Sequence, residues 1–210
     1  MMFERMISRA GTCAAAAAFV ALLAIPATSS AATTLENMQA AYNGESNAHV
    51  RYLAFAKQAD QEGYGEVGSL FRAAARAEEI HANNHAAVIK ALGQQPQAKI
   101  EAPEVKSTKE NLEAAIKGES YERDSMYPQF LKQARMDHNK AAVKSLNYAK
   151  QAEEEHARLY TETLQKLDRL KGSQPTAYLV CPNCGFTTND HMRKECPTCF
   201  TVREKFERVA

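Results

Sequence analysis

Two copies of one pattern constrain this chain more than anything else in it. Glu78 and His81, within Ala77-Glu78-Glu79-Ile80-His81, stand three apart, as do Glu153 and His156 within Ala152-Glu153-Glu154-Glu155-His156. On a helix that spacing puts carboxylate and imidazole on one face. The second copy follows the first by 75 positions, and another pair recurs at an offset of 74: Glu45 in Gly44-Glu45-Ser46 and Glu119 in Gly118-Glu119-Ser120. A lone Glu-x-x-His in a charged helix is ordinarily a solvated surface pair. Two such pairs, each preceded by a Gly-Glu-Ser site at matched spacing, instead describe a four-helix bundle around a metal cage.

The inward set is Glu45, Glu78, His81, Glu119, Glu122, Glu153 and His156, with Glu122 included because it lies three after Glu119. Five carboxylates gathered inside a bundle would repel one another and lose hydration, so they must take up protons or be compensated by cations. Two iron or manganese ions would compensate them, since carboxylate and imidazole donors suit either metal. No cysteine lies between Thr33 and Val180, which excludes a thiolate site within the bundle. Glu79, Glu154 and Glu155 are expected to face outward, and His49, His85, His138 and His191 lack repeated context, which makes them surface or supporting residues. Neither stretch carries the leading His of a zinc-protease His-Glu-x-x-His.

The chain around these motifs reads as helix. Ala, Glu, Lys and Gln dominate its middle while β-branched residues are sparse. Of its 210 residues 45% are hydrophobic, enough for a core, and the formal charge of +1 with no basic block interleaved with aromatics gives no support to nucleic-acid binding. Residues 1–32 resemble an export signal: Arg5 and Arg9, an apolar run from Ala14 to Ile25, then small residues at Ser29-Ser30-Ala31. An uncleaved anchor is the competing reading, the adjacent arginine pair of a twin-arginine signal is missing, and cleavage would discard Cys13. The expected location is outside the cytoplasm, in the periplasm.

Thr33 and Glu36 form a capping box opening a helix to about Glu62, and a second helix runs from about Glu66 to Leu92. A crossover containing Pro96 and Pro103 leads to a second capping box, Ser107 with Glu110, and a third helix to about Met136. Pro128 predicts a kink or local widening after Met126-Tyr127. Asp137 is the expected cap of a fourth helix reaching Lys171 before Gly172. The domains are therefore a signal over 1–32, a bundle over 33–172 and a module over 173–210.

That last module carries two Cys-x-x-Cys knuckles, Cys181 with Cys184 and Cys196 with Cys199, separated by 11 residues. Four thiolates so spaced can close tetrahedrally on one metal, zinc as a structural ribbon or iron as a one-electron relay. Two disulfides or a dithiol redox pair are the alternatives.

Taken together, Gly44-Glu45, Arg51-Tyr52-Leu53-Ala54-Phe55-Ala56, Glu78-x-x-His81-Ala82, Gly118-Glu119-x-x-Glu122, Met126-Tyr127-Pro128, Glu153-x-x-His156 and the cysteine module resemble the rubrerythrins from Thr34 to Ala210. The resemblance implies a mainly α fold: a ferritin-like four-helix bundle with a small C-terminal rubredoxin-like four-cysteine metal module. It implies two Fe in a di-iron centre that reduces hydrogen peroxide to water, one further Fe held by the cysteines (with Zn the alternative), a homodimer and an electron donor protein. Glu78 and Glu153 would bridge the irons, with Glu45, Glu119 and Glu122 as terminal ligands and His156 on the second iron. His81 matches a position that exchanges with that of Glu122 as one iron moves between redox states. Tyr52 and Tyr127 match tyrosines that hydrogen-bond the carboxylates, although ordinary core tyrosines would read the same in sequence. The loop between knuckles is shorter than the family's, and an export signal departs from most relatives. The rivals are a ferroxidase or iron-handling protein, which the bundle alone would equally suit, and a non-catalytic interaction protein stabilised by zinc.

Overall fold

The computed structural model describes Met1 and residues 32–210; the proposed signal segment and Cys13 lie outside the described residues. Five α-helices build the bundle: α1 Thr34–Gln61, α2 Gly65–Ala91, α3 Thr108–Tyr121, α4 Tyr127–Met136 and α5 Lys140–Gln165. Both capping boxes form, with Thr33 accepting from the Glu36 amide and Ser107 from the Glu110 amide. α1 packs mainly on α2, α3 on α5, and the pairs are closed by α2 against α5.

The crossover between α2 and α3 has no secondary structure of its own, so its backbone needs other partners. One face of α1 supplies them. Gln39, Asn43 and Asn47, spaced four apart, accept from the amides of Gln97, Lys99 and Glu101 at 3.1, 2.8 and 2.9 Å.

Three local expectations need correction. The widening lies before Tyr127, where Glu122–Met126 forms a π-helical turn joining α3 to α4. Pro128 has no amide hydrogen and its ring crowds the preceding turn, so the relaxation falls on the residues N-terminal to it and the Tyr127 amide donates to the Glu122 carbonyl. Asp137 does not cap α5. It accepts from the amide and hydroxyl of Thr34 at 3.2 and 2.6 Å, tying the start of α1 to the end of α4. His138 then turns at φ +52°, and Asn139 becomes the cap, accepting from the Ala142 amide at 2.9 Å. Finally, α5 stops at Gln165 and a 3₁₀ turn over Leu167–Arg169 follows. That tighter turn buries both Leu167 and Leu170 in the core.

The cysteine module is a small antiparallel sheet of β1 Tyr178–Val180, β2 Thr187–Thr188 and β3 Glu207–Val209, ordered β2-β1-β3. It packs on the bundle: residues 32–210 form one compact unit, with β1 and β3 against α2 and β2 against α5. Two ties hold it there. Arg76 clamps Glu207 through Nε and Nη2 at 2.6 and 2.9 Å, and the Arg72 Nε–H donates to the Ala210 carbonyl at 2.7 Å. Among the described residues no helix is long and apolar enough to cross a membrane.

Two apolar clusters fill the bundle. One gathers Tyr52, Phe55, Phe71, Leu112 and Tyr160; the other gathers Met38, Ile89, Tyr127, Leu131 and Leu146. The charged motifs lie between them.

Candidate metal centre

Glu45 and Glu153 are completely buried, and Glu78 and Glu119 are 1% exposed. Each comes from a different helix: α1 gives Glu45, α2 Glu78, α3 Glu119 and α5 Glu153. His81 and His156 are equally buried. The three-residue spacing does what a helix dictates, placing His81 Nδ1 2.8 Å from Glu78 Oε2 and His156 Nδ1 3.0 Å from Glu153 Oε2. Each imidazole also reaches the other pair's carboxylate: His81 Nδ1 lies 3.3 Å from Glu153 Oε1, and His156 Nδ1 3.3 Å from Glu78 Oε1.

The donor atoms resolve into two sets, Glu45, Glu78, His81 and Glu153 on one side and Glu78, Glu119, Glu153 and His156 on the other, with the atoms of each set within 4.8 Å of one another. Glu78 and Glu153 belong to both. Two carboxylates shared by two four-residue sets suit a pair of cations bridged by those carboxylates. Glu122 belongs to neither set; it sits half-buried at the start of the π turn.

A protein interior ordinarily satisfies its buried polar atoms. Here Glu45 Oε2, Glu78 Oε1, Glu119 Oε2, both oxygens of Glu153 and His156 Nδ1 have no hydrogen-bond partner. All belong to the two sets, and bare carboxylate oxygens facing one another out of water cost several kcal/mol each by Born desolvation. Carboxylate and imidazole donors left free in this arrangement fit hard or borderline divalent cations. The proton affinities carry the same tension. Burial and the neighbouring Glu78 charge push the Glu119 and Glu153 carboxyls well up, and burial with Glu45 and Glu78 does the same to Glu122. Burial would raise Glu78 too, but His156 and His81 outweigh it and hold that carboxyl down. Burial likewise opposes charging of His81 and His156, and contact with Glu78 overrides it to raise both.

Two tyrosines fix carboxylate oxygens at opposite ends. The Tyr52 hydroxyl donates to Glu119 Oε1 at 2.5 Å, and the Tyr127 hydroxyl donates to Glu45 Oε1. Burial, reinforced by the adjacent carboxylates, pushes both phenols well above their usual range, so they stay protonated as donors.

Other residues join the site without a strong signal in sequence. His85 is fully buried, with Nδ1 2.7 Å from Ser145 Oγ and Nε2 3.3 Å from the Tyr127 hydroxyl. Its signal was its place four after His81, on the same helical face. Tyr160 stacks near Tyr52 at 5.6 Å with its hydroxyl unpartnered. By contrast His138 and His191 are exposed, as are Glu79 and Glu154. His49 Nδ1 sits 2.7 Å from the Ala75 carbonyl, and half-buried Glu155 pairs with Arg158 at 2.6 Å.

In the module the four thiols converge within 4.8 Å, Cys181 3.5 Å from Cys199 and Cys184 3.4 Å from Cys196. All four are free, so no disulfide closes either knuckle. Neighbouring Cys184 and Cys196 pull the Cys181 thiol far down to about 2, while Cys181 pushes Cys196 up to about 12. Four thiols converging this closely fit a tetrahedral thiolate metal site.

The module touches the cage directly. His81 Nε2 lies 3.1 Å from the Cys184 carbonyl, and His156 Nε2 lies 3.1 Å from Thr187 Oγ1, whose hydroxyl donates to the Gly185 carbonyl at 3.0 Å. Gly185 makes the first contact feasible. Its φ is +77°, and a Cβ there would fall 2.2 Å from His81 Nε2.

Comparison with known proteins agrees with these features. A family model described as Rubrerythrin matches residues 36–164. Rubrerythrin-2 of Clostridium acetobutylicum is 36% identical over 178 residues, 84% of this chain and 96% of that protein. Nigerythrin of Nitratidesulfovibrio vulgaris is 35% identical, over 83% of this chain and 85% of its own. Among solved structures, fully reduced, all-ferrous nigerythrin superposes with a TM-score of 0.78 at 34% identity, covering 88% of this chain and 91% of that one. A bacterioferritin from Desulfovibrio desulfuricans, at 22% identity and a TM-score of 0.63, shares the fold.

Proposed function

The chain belongs to the rubrerythrin family, and from that premise we propose that it is an exported peroxidase reducing hydrogen peroxide to water at its di-iron centre. The observation that carries this reading is the pair of overlapping donor sets sharing Glu78 and Glu153. In the proposed assignment those two residues would be shared by both metal positions, with Glu45 and His81 holding one and Glu119 and His156 the other. Glu122 is held as the alternative to His81, consistent with its place at the rim of the cage. The bound iron pair supplies the electrons that break the O–O bond.

The protein's own groups do the rest. Consuming one peroxide and giving two waters takes two electrons and two protons. Tyr127 and Tyr52 hold protons at Glu45 Oε1 and Glu119 Oε1, at either end of the cage. The two apolar clusters exclude bulk water from both sides, strengthening those hydrogen bonds. The cysteine module is proposed to hold a third iron, through Cys181, Cys184, Cys196 and Cys199, and to return electrons from an outside donor protein. Its support is the direct contact of His81 with the Cys184 carbonyl. A homodimer is proposed by analogy with the family, and a periplasmic location is proposed from the signal-like composition of residues 1–32.

The deciding experiment is anaerobic stopped-flow spectroscopy of the iron-loaded, pre-reduced protein, with metal counted on the same sample. Rapid oxidation by peroxide followed by the oxidised thiolate-iron absorbance supports the peroxidase. Oxidation driven better by oxygen than by peroxide would replace it with iron handling, and absence of thiolate-iron colour would make the module a zinc ribbon. N-terminal sequencing of protein recovered from the periplasm tests export.

A further inference from the structure

Beside Tyr127 and Glu45, a buried hydrogen-bond chain leads from α5 through α2, and its His85 Nε2 lies 3.8 Å from Glu45 Oε1, too far for a direct hydrogen bond. Ser145 Oγ is 2.7 Å from His85 Nδ1, and His85 Nε2 is 3.3 Å from the Tyr127 hydroxyl, which donates to Glu45 Oε1. His85 is 0% exposed and Ser145 6%. We propose that Ser145, His85 and Tyr127 form a one-way hydrogen-bond triad that aims the Tyr127 proton at Glu45, with His85 and Ser145 as positioning residues for that ligand. The inference rests on the reading of Glu45 as a metal ligand.

The direction follows from counting donors. A phenol has one proton, and here it points at a carboxylate oxygen, so the Tyr127 oxygen can only accept from His85. His85 Nε2 must therefore carry a hydrogen. In the neutral ring a hydrogen on Nε2 leaves Nδ1 bare, and the group that faces Nδ1 at 2.7 Å is a hydroxyl, which can donate. Ser145 must then donate to Nδ1. Its surroundings agree: Ser46, Ser69 and Thr161 send their helical hydroxyls back to the carbonyl four residues earlier, whereas the polar contact of Ser145 is to His85. Every proton in the chain is thus aimed at Glu45. Oε1 of Glu45 is taken by Tyr127 and Oε2 is left free, which turns a carboxylate with two equivalent oxygens into one with a defined ligating atom. Among the described residues the opposite end lacks such a device, because the Tyr52 hydroxyl donates to Glu119 with no histidine within hydrogen-bonding distance of it.

Three measurements on the full protein test this, none requiring peroxide turnover. In protein loaded with zinc as a redox-inert stand-in, nitrogen-15 NMR of His85 should show a protonated Nε2 and a bare Nδ1. A protonated Nδ1, or an imidazolium, overturns the triad outright in the unmutated protein. Removing the donor with His85→Phe should weaken zinc at the Glu45 side of the cage by about tenfold, the scale of a lost outer-shell partner, while His85→Gln, which keeps an N–H, should stay within about threefold. Because His85 acts through Tyr127, His85→Phe should cost less than about twofold in a Tyr127→Phe background; full additivity would reduce His85 to packing and sink the proposal. A protein that passes these tests yet ignores peroxide would refute the proposed function alone.

Discussion

The cage and the cysteine module are two answers to one problem, holding a cation where water is scarce. The cage draws its donors from residues 45 to 156 on four helices, so the packing of the bundle sets their positions. The module draws all four from residues 181 to 199, on short loops around a three-stranded sheet. In the cage, six polar atoms of the donor sets stay orphaned although the helices are fully formed. In the module, the sulfurs instead lean on one another at 3.4 and 3.5 Å. Helix packing therefore imposes the cage on the cation, whereas the cation would draw the module together. Losing a ligand should be far more costly in the first case, where nothing local can rearrange.

The sharpest test of that contrast is Glu153→Ala. Glu153 belongs to both donor sets, so its loss removes the proposed bridge and should lower affinity for paired metal by more than about 100-fold, beyond the loss of an outer-shell partner. Peroxide turnover should vanish with it, while thiolate-bound metal counted in the same sample stays whole. Retention of two cage metals would show that the shared carboxylate does not bridge.

Cys199→Ser should give the complementary phenotype at a smaller scale. Cys199 is the one partly exposed member of its set. Its loss should abolish thiolate-iron absorbance and slow re-reduction by an outside donor about tenfold or more, leaving cage metal at its normal count. If turnover driven by that donor is unchanged, the module is not on the electron route.

Between the two regions lies the contact of Gly185 with His81, and Gly185→Ala addresses it alone. A Cβ at 2.2 Å from His81 Nε2 cannot be accommodated in place, and the left-handed φ adds strain of about 1–3 kcal/mol. The thiolate site should load normally, metal on the Glu45 and His81 side of the cage should weaken as His81 is displaced, and passage of electrons between the sites should slow about tenfold, read as the lag between cage oxidation and loss of reduced thiolate-iron. An unchanged lag would place the electron route elsewhere.

These regions also differ in how far sequence could reach them. Glu45, Glu78, Glu119, Glu153 and both site histidines were legible because helical spacing is a local rule and the chain states it twice. The four cysteines were legible because their spacing is local as well. What lay beyond reach was decided between elements. His85 joins the site only because α5 brings Ser145 and the π turn leads into Tyr127. Glu122 keeps the helical face it shares with Glu119, its amide still donating to the Gly118 carbonyl, yet its carboxylate belongs to neither donor set. Asp137 has the chemistry of a cap and was claimed instead by Thr34, 103 positions away. The seating of Cys184 against His81 depends on a glycine whose role no pattern announces.

The smallest expected effect concerns the clamp that keeps the module seated. Arg76 holds the Glu207 carboxyl below its usual proton affinity through two short hydrogen bonds. A carboxyl lowered in the folded state adds stability above its unfolded value, near pH 4, and loses that contribution as pH falls through the folded one. Both side chains are about a third exposed, 33% and 37%, so solvent screening limits the pair to no more than about 1 kcal/mol. Glu207→Gln should therefore loosen the module slightly at neutral pH, raising hydrogen exchange in β1 and β3 while α1 is unaffected, and the difference from the unmutated protein should shrink below about pH 4. High salt should shrink it too. Equal exchange in both proteins at neutral pH and low salt would mean that the module is held by His81 against the Cys184 carbonyl and by Asn84, whose Nδ2 donates to the Asn183 carbonyl at 3.0 Å, rather than by charge.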